Sequence, residues 1–500
     1  MQQKNPIIVG LDIGTTKIVA IAGRKNEYGK LEILGFGRAD SNGVSHGMVL
    51  NIEETTQSIL VAIERCLESN PNLTIKDVYV GIAGQHISSL QSKGERVINN
   101  SEEEIRKEDI DALIKDQYNT FVPNNDQIID VIPQDFTVDM HTGFSLAQVI
   151  GMTGARIGAN FHIITGNKSA IKNINRCVKK AELNTKDLVL QPLASAAAVM
   201  CSDDLESGVA IVDIGGGTTD LAIFHEGMLK HTAVIPIAGV NITNDIRQGL
   251  GVLKAHAETM KVKYGMALSS EAQSNSFIAI PGFKGQPSRE ISIKNLSKII
   301  QSRMDEILDY VVYHIKQLGL EEKLYGGIIL TGGGSQLQHL KQLTEFKTGL
   351  AARIGLPNEH LNGAYDVDLA NPMYSTCIGL ILKGYDEFEN NQISFTSNNL
   401  DATLSKNTQL ETTSNLDQEL TPSEMIEISF GSQNKETDFN SEEPHPTQDG
   451  LEDGVIEEPY PAQGESEEKP NKRRNLINDI FNSVKGKILN LFENVEDEKL

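Results

Sequence analysis

Cysteine is scarce in this 500-residue chain, and the four present (Cys66, Cys177, Cys201, Cys377) lie far apart with no CxxC pair. That spacing argues against a disulfide framework or a cysteine zinc site and predicts buried free thiols in a reducing compartment. The eleven histidines form no HExxH or comparable cluster. No run of 18 apolar residues occurs, so no segment is expected to span a bilayer. The start, Met-Gln-Gln-Lys-Asn-Pro, lacks a signal-peptide apolar core, so a cytoplasmic protein is expected. Positive charge is also short: the net charge is −23 and no broad basic face is available, so nucleic acid is not an expected partner. Neither G-x-x-x-x-G-K followed by Ser or Thr nor G-x-G-x-x-G is present, which excludes a P-loop NTPase and a dinucleotide-binding dehydrogenase.

Glycine, in contrast, is concentrated where strands turn. Gly208 to Phe224 reads as an apolar strand ending at Asp213, a turn through Gly215, Gly216, Gly217, Thr218 and Thr219, and a second strand. Three glycines let several amide N–H groups converge on one anion, and the threonines add hydroxyl donors. Asp213 places a carboxylate at the strand end, a position suited to a hydrated Mg²⁺. The same unit occurs near the N-terminus as Leu11-Asp12-Ile13-Gly14-Thr15-Thr16, with Lys17 adding a point charge suited to phosphate oxygens. Two copies about two hundred residues apart predict two similar domains facing one site.

The intervening chain alternates helices and strands. Asn51 with Glu54 starts a helix whose apolar face carries Ile52, Thr55, Ile59, Ile63 and Cys66, and a strand follows at Asp77 to Ile82. Residues 85–162 read as a small α+β insertion: a charged helix behind Ser101 and Glu104, then strands at 128–132, 136–140 and 160–164. A helix at 173–183 and a strand at 188–190 precede Gln191 to Val199, a helix of small residues suited to close helix packing between the two halves. Gly239 to Gly251, with Asn241, reads as a nucleotide-facing turn, followed by a charged helix bearing Glu258, Lys261 and Lys263. A long helix is expected at 291–318. The third glycine turn, Gly332, Gly333, Gly334 and Ser335, follows a strand and opens a helix through Leu337, Leu340 and Leu343. That helix N-terminus suits a phosphate or a nucleoside edge.

Three glycine loops in this order resemble the actin/Hsp70/hexokinase ATPase superfamily. Within it, the opening Val-Gly-Leu-Asp-Ile-Gly-Thr-Thr-Lys, the Phe136 to Asp139 and Gly151 to Arg156 segments, and Ile237 to Ile246 resemble the bacterial cell-division FtsA family over essentially the whole chain. The resemblance implies an α/β, actin-like two-domain ATPase fold of duplicated ribonuclease-H-like domains. Domain I would comprise 1–84, the family's insertion subdomain at 85–162, and 163–207. Domain II would have its core at 208–238 and 321–373 with an outer subdomain at 239–320, and a helix at 374–390 would return to domain I. It further implies ATP between the domains, with Mg²⁺ near Asp12 and Asp213 and the ribose and base near Glu258, Lys261 and Lys263. Gln191 falls where several relatives carry Glu; an amide orients water without taking its proton, so hydrolysis is expected to be slow or regulatory.

The last hundred residues differ in kind. Between Asn391 and Glu468 there are eighteen Asp/Glu against two Lys, and the stretch is rich in Ser, Thr, Asn and Gln, so 391–471 reads as a disordered acidic linker. Lys472, Arg473 and Arg474 then introduce 472–494, where Leu476, Ile477, Ile480, Phe481, Val484, Ile488 and Leu491 form one apolar stripe at helical spacing. Lys485 and Lys487 within it forbid spanning, so the helix is expected to lie flat at an anionic membrane surface. By resemblance, the chain would tether the C-terminal tail of the division protein FtsZ to the cytoplasmic face of the inner membrane at the division site, as a peripheral protein. It would self-associate into filaments through the insertion and recruit later divisome proteins. Arg289, Arg303 and Glu306 are the candidates for the FtsZ contact. The alternatives are a PilM-type pilus-assembly protein, which would lack the basic amphipathic tail, and a sugar-type kinase, which needs a carboxylate base beside a polyol pocket.

Overall fold

The computed structural model describes residues 5–98, 104–281, 287–362 and 367–390. The acidic linker and the amphipathic stripe from Leu476 to Leu491 lie outside the described residues, as does Ser101. Domain I begins with β1 (Ile8–Ile13), β2 (Lys17–Lys25) and β3 (Leu31–Asp40), an antiparallel meander. A short hairpin, β4 (Val44–Ser45) and β5 (Met48–Val49), leads to α1 (Ile52–Glu68), whose N-cap Asn51 accepts from the Glu53 and Glu54 amides. The next strand, β6 (Asp77–Ile82), pairs parallel with β1.

The insertion departs from β6. It comprises β7 (Ile87–Val97), α2 (Lys107–Gln117), β8 (Asp126–Val138), β9 (His141–Phe144), α3 (Leu146–Val149) and β10 (Arg156–Asn167), with sheet order β7-β10-β8-β9. The two strands expected at 128–132 and 136–140 are one strand, β8, because Pro133 sits at a register shift against β10 rather than ending the ladder. The chain returns through α4 (Lys168–Lys180), which starts earlier than expected because Asn167 caps it, and β11 (Asn184–Leu190), parallel to β6. The insertion also reaches domain II. Gln134 donates to the Leu229 carbonyl, and His162 Nε2 lies 3.0 Å from Thr232 Oγ1.

After α5 (Gln191–Val199) and α6 (Ser202–Ser207), domain II repeats the plan. Strands β12 (Val209–Ile214), β13 (Thr219–His225) and β14 (Met228–Ile235) form the meander. The outer subdomain holds α7 (Gly239–Leu250), α8 (Lys254–Tyr264), a hairpin of β15 (Phe277–Ile280) and β16 (Arg289–Ser292), and α9 (Ile293–Gln317). Then come β17 (Gly327–Thr331), α10 (Leu340–Thr348), β18 (Ala352–Ile354) and α11 (Ser375–Asn390). The sheet orders β11-β6-β1-β2-β3 and β18-β17-β12-β13-β14 match strand for strand, with the same antiparallel and parallel pairings. The duplication expected from two hairpins therefore extends to two whole sheets.

Strand periodicity explains how the halves join. In β1 and β2, Val9, Leu11, Ile13, Ile18 and Ala20 face the core of domain I, whereas Ile8, Val19 and Ile21 face a separate core shared with α5 and α11. In β12 and β13 the same alternation sends Ala210, Val212 and Leu221 into the domain II core, and Val209, Ile211 and Ala222 into the shared one. The small residues of α5 serve that shared core: Ala194, Ala196 and Ala198 are fully or almost fully buried against Ile378 and Ile381 of α11. Close packing between the halves, expected for this helix, is what the fold contains. One cysteine departs from expectation. Cys66, Cys177 and Cys377 are buried free thiols, but Cys201 is exposed at the start of α6, where its amide donates to Asp204.

Candidate functional site

Each sheet ends its first strand in a carboxylate followed by a tight glycine turn. The Gly14 amide donates to the Lys17 carbonyl at 3.1 Å, and the Gly215 amide to the Thr218 carbonyl at 2.9 Å, so the two turns close alike. Their tips meet. A Cβ on Gly217 would stand 2.3 Å from Thr15 Oγ1, and one on Gly216 would stand 2.5 Å from the Thr16 methyl. Any side chain there would fill the space between the hairpins. The glycines at 216 and 217 are what let the backbone of the second hairpin approach Thr15 and Thr16 of the first so closely.

The carboxylates lie beneath the tips. Asp12 is buried, and its Oδ1 accepts from Gln191 Nε2 at 2.8 Å. Asp213 is buried too, and its Oδ2 accepts from Ser195 of α5 and from Thr376 of α11, the latter at 3.1 Å. The two helices that join the domains thus hold the same carboxylate. Burial raises the Asp12 carboxyl to about 6, with Lys17 opposing and Asp213 reinforcing the shift. Burial raises Asp213 as well, against Ser195, Lys17 and Thr376. Asp220, opposite Asp213 in the β12–β13 register, is pushed well above the ordinary range by burial and then by Asp213.

One oxygen of Asp220, Oδ1, is buried without a hydrogen-bond partner. Three buried carboxylates, one with an orphaned oxygen, are the donor set a hard divalent cation satisfies. Among the described residues no three His, Cys, Asp or Glu side chains converge closely enough to ligate a metal directly. The chemistry of these carboxylates would suit a hydrated Mg²⁺ met through water, as expected for Asp12 and Asp213, and not one ligated directly.

The neighbouring elements differ in part from expectation. The segment from Gly239 to Leu250, expected as a turn, is helix α7. The Asn241 side chain accepts from the Ala238 amide at the entry to α7, which lets the polar residues be helical. The α7 N-terminus still faces the second hairpin: the Gly239 and Val240 amides donate to the carbonyls of Gly215 and Gly216 at 3.2 and 2.8 Å. Lys261 Nζ converges there as well, 2.9 Å from the Gly239 carbonyl, from Thr243 Oγ1 and from Glu258 Oε2. Lys263, two residues along α8, is exposed on a different face from Lys261. At the third turn, Gly332 takes φ +81, and a Cβ there would stand 2.1 Å from Asp213 Oδ1. The helix expected to open at once is instead a 3-10 turn (Gly333–Gln336), and α10 starts only after His339 at φ +61. Ser335 is buried in that turn, donating to the Gly332 carbonyl at 2.8 Å.

The partner candidates lie in the outer subdomain. Arg289 is on strand β16 rather than on the long helix, which starts at Ile293, and it donates to the Leu250 and Gly251 carbonyls at the end of α7. Arg303 grips both oxygens of Asp245 at 2.6 and 3.0 Å and also bonds Glu306, clamping α7 to α9. His46 was not anticipated. Its Nδ1 is 3.1 Å from the Gly217 carbonyl oxygen, although it lies in the β4–β5 turn of domain I. The only hint in sequence is a histidine before glycine in a short hairpin turn, a weak signal before the hairpin is placed.

Two family models match the chain. One, described as cell division protein FtsA, covers residues 210–379, and one for the SHS2 domain inserted in FtsA covers residues 84–165. The chain is 38% identical over 382 residues to cell division protein FtsA of Pseudomonas aeruginosa, covering 76% of this chain and 90% of that one. It is 37% identical to the Neisseria meningitidis protein of the same name, covering 76% and 91%, and 34% identical to that of Escherichia coli K12, covering 77% and 92%. Among solved structures, the PilM-PilN type IV pilus biogenesis complex has a similar fold, with a TM-score of 0.57 at 15% identity over 75% of this chain and 98% of that one.

Proposed function

The chain belongs to the FtsA family of cell division proteins, and on that premise we propose that it is an actin-like, ATP-binding protein that tethers FtsZ to the membrane. The observation that carries the ATP reading is the matched pair of glycine hairpins meeting over buried Asp12 and Asp213. Gly14, Thr15, Thr16 and Lys17 from one side, and Gly215 to Thr219 from the other, would hold the phosphates. Mg²⁺, held through water near Asp12 and Asp213, would neutralise phosphate charge. Gly239, Asn241, Glu258 and Lys261 would face the ribose and base, and Gly332 to Ser335 the adenosine, whereas Lys263, on another face of α8, is left out of the set. Gln191, already donating to Asp12, can orient a water but cannot take its proton, so turnover is slow and ATP acts mainly as a regulator.

Tethering rests on the tail. The segment at 472–494, with its basic start and apolar stripe, would bind the cytoplasmic face of the inner membrane at the division site, and the acidic stretch before it would be repelled by the anionic surface. The FtsZ tail docks on the outer subdomain at 239–320, where the Arg303 clamp makes a firm surface beside Arg289 and Glu306. The insertion contacts the next subunit in a filament, and later divisome proteins join that assembly. A PilM-type pilus role is less well supported, since the likeness to that complex is one of fold at 15% identity. A sugar-type kinase would need a free carboxylate base beside a polyol pocket, whereas Asp12 and Asp213 are engaged by Gln191, Ser195 and Thr376.

Two measurements test the reading. An FtsZ C-terminal peptide should retain the full chain in a pull-down, with a response to ATP. Deleting residues from Lys472 onward should abolish co-sedimentation with anionic liposomes. No retention on the peptide, unchanged co-sedimentation of the truncated chain, or phosphorylation of small alcohols by the purified chain refutes it.

A further inference from the structure

We propose that the insertion braces domain II against domain I, so that the rotation which opens the cleft must break its bonds to β14; the inference rests on the nucleotide-binding reading above. The strands of the insertion divide their faces between its own core and the body of the protein. In β10, Phe161 and Ile163 enter the insertion's core, while Ile164 enters the core of domain I and His162 turns to domain II. In β8, Ile129 joins the domain I core, Ile132 packs against the core shared by the halves, and Gln134 reaches domain II. Two strands thus touch both halves. The root is fastened further by Lys168, whose amide and ammonium donate to the Asn125 and Asn124 carbonyls.

On domain II the contact is the edge strand β14, which β7, β8 and β10 all meet. Gln91 Nε2 lies 3.2 Å from His162 Nδ1; an amide nitrogen only donates, so Nδ1 accepts and the imidazole proton is on Nε2. Nε2 therefore donates to Thr232 Oγ1, at 3.0 Å. Burial keeps that ring neutral, with both its nitrogens engaged. Gln134, also buried, donates to the Leu229 carbonyl three residues earlier. Beside Thr232, His231 Nε2 lies 3.1 Å from His314 Nδ1, so the braced strand is itself bonded to α9. The position gives leverage. Helices α5 and α11 hold Asp213 at the end of β12, whereas β14 is two strand spacings away, about 10 Å. A rotation of about 10° about those helices shifts β14 by about 2 Å, which no hydrogen bond survives. Ile129 and Ile164, buried in the domain I core, keep the insertion from turning with domain II, so the bonds to β14 part instead. A nucleotide gripped by both hairpins holds them closed.

The test uses the full chain with Mg²⁺ and a fluorescent ATP analogue, whose release is timed after a chase with unlabelled ATP. Thr232→Val keeps the side-chain shape and removes the hydroxyl, and Gln134→Leu removes the amide. Each should speed release about fivefold, the effect of one hydrogen bond, and Thr232→Ser should restore the wild-type rate. In the wild type, bound ATP should slow amide hydrogen exchange in β10 and β14 together. Release from the folded double variant within about twofold of the wild-type rate, or from Thr232→Ser as fast as from Thr232→Val, overturns the brace. Exchange in either strand that ignores ATP overturns it as well, and that measurement needs no variant. A wild type that binds no ATP overturns the cleft reading itself, and this inference with it.

Discussion

Gly379 is where a single methyl should have the largest consequence. Helix α11 crosses α5 so closely that a Cβ at Gly379 would stand 1.7 Å from the Ala194 carbonyl oxygen and 3.0 Å from Ala194 Cα. Two opposed terms act on Gly379→Ala. Replacing a helical glycine by alanine contributes about 1 kcal/mol of helix propensity. Against it, the obstacle is backbone, which cannot rotate aside, so the helices must part by more than about 1 Å. A gap of that size forfeits a quarter to a half of each dispersion contact, and overpacking of this kind costs about 1–3 kcal/mol. The seam holds Ala196, Ala198, Ile378 and Ile381, all at 0–1% exposure, so the loss is spread over many contacts. The net expectation is destabilisation by about 1 kcal/mol, and up to about 2, read as a lower urea midpoint at unchanged slope. Separation also pulls Ser195 and Thr376 away from the Asp213 carboxylate they share, so nucleotide affinity should fall in the protein that remains folded. Gly384→Ala is the comparison: its Cβ would meet side-chain atoms of Ile8 and Tyr79 at 2.8 Å, and side chains yield where backbone does not. If Gly379→Ala is as stable as the wild type, or less affected than Gly384→Ala, the crossing is not the close contact described.

Two further outcomes follow from buried ionisable groups. Burial, with His231 nearby, holds the His162 and His314 imidazoles down at about 4, below their ordinary 6.5. Below pH 6.5 the unfolded chain binds protons that these folded histidines refuse, so each removes stability as pH falls from 6.5 to 4. The slope is about 1.4 kcal/mol per pH unit, which totals about 3 kcal/mol per histidine. Urea melts of His162→Gln at pH 7.5, 6 and 5 should therefore show a shallower acid loss than the wild type, and an identical loss contradicts the assignment. Asp220→Asn should raise the stability of the nucleotide-free protein by about 1–2 kcal/mol, because it removes a buried carboxyl with an orphaned oxygen. The same change should weaken Mg²⁺–ATP binding. Equal signs for the two measurements would remove Asp220 from the site.

What could be seen in the sequence follows from the range of the interactions involved. The hairpins β1–β2 and β12–β13 were legible because strand, carboxylate, glycine turn and strand are contiguous, and Asp77–Ile82 because its apolar run is bounded at both ends. The outcome at Gly239 was not legible. Glycine and asparagine favour turns locally, but contacts of the Gly239 and Val240 amides with the second hairpin, and the Asn241 cap, make the segment helical. Leu337 was assigned to a helix on periodicity, yet the Gly332 turn needs a left-handed backbone and closes as a 3-10 turn first. The break expected between 132 and 136 is absorbed by a register shift at Pro133. His46 depended wholly on tertiary placement, since its partner lies 171 residues away.

The two sheets and the cleft are one arrangement rather than a fold with a site added. Because β1 and β12 each send alternate residues to opposite faces, each sheet requires helices on both sides. The inner faces are covered by the same pair, α5 and α11, so neither domain has an inner core of its own. The carboxylate at the end of β12 is bonded to both of those helices, and the carboxylate at the end of β1 is bonded to Gln191 at the start of one of them. Any change in charge between Asp12 and Asp213 must then be accommodated by the packing that joins the domains. The side chains that hold these two carboxylates are also those that set how the halves meet.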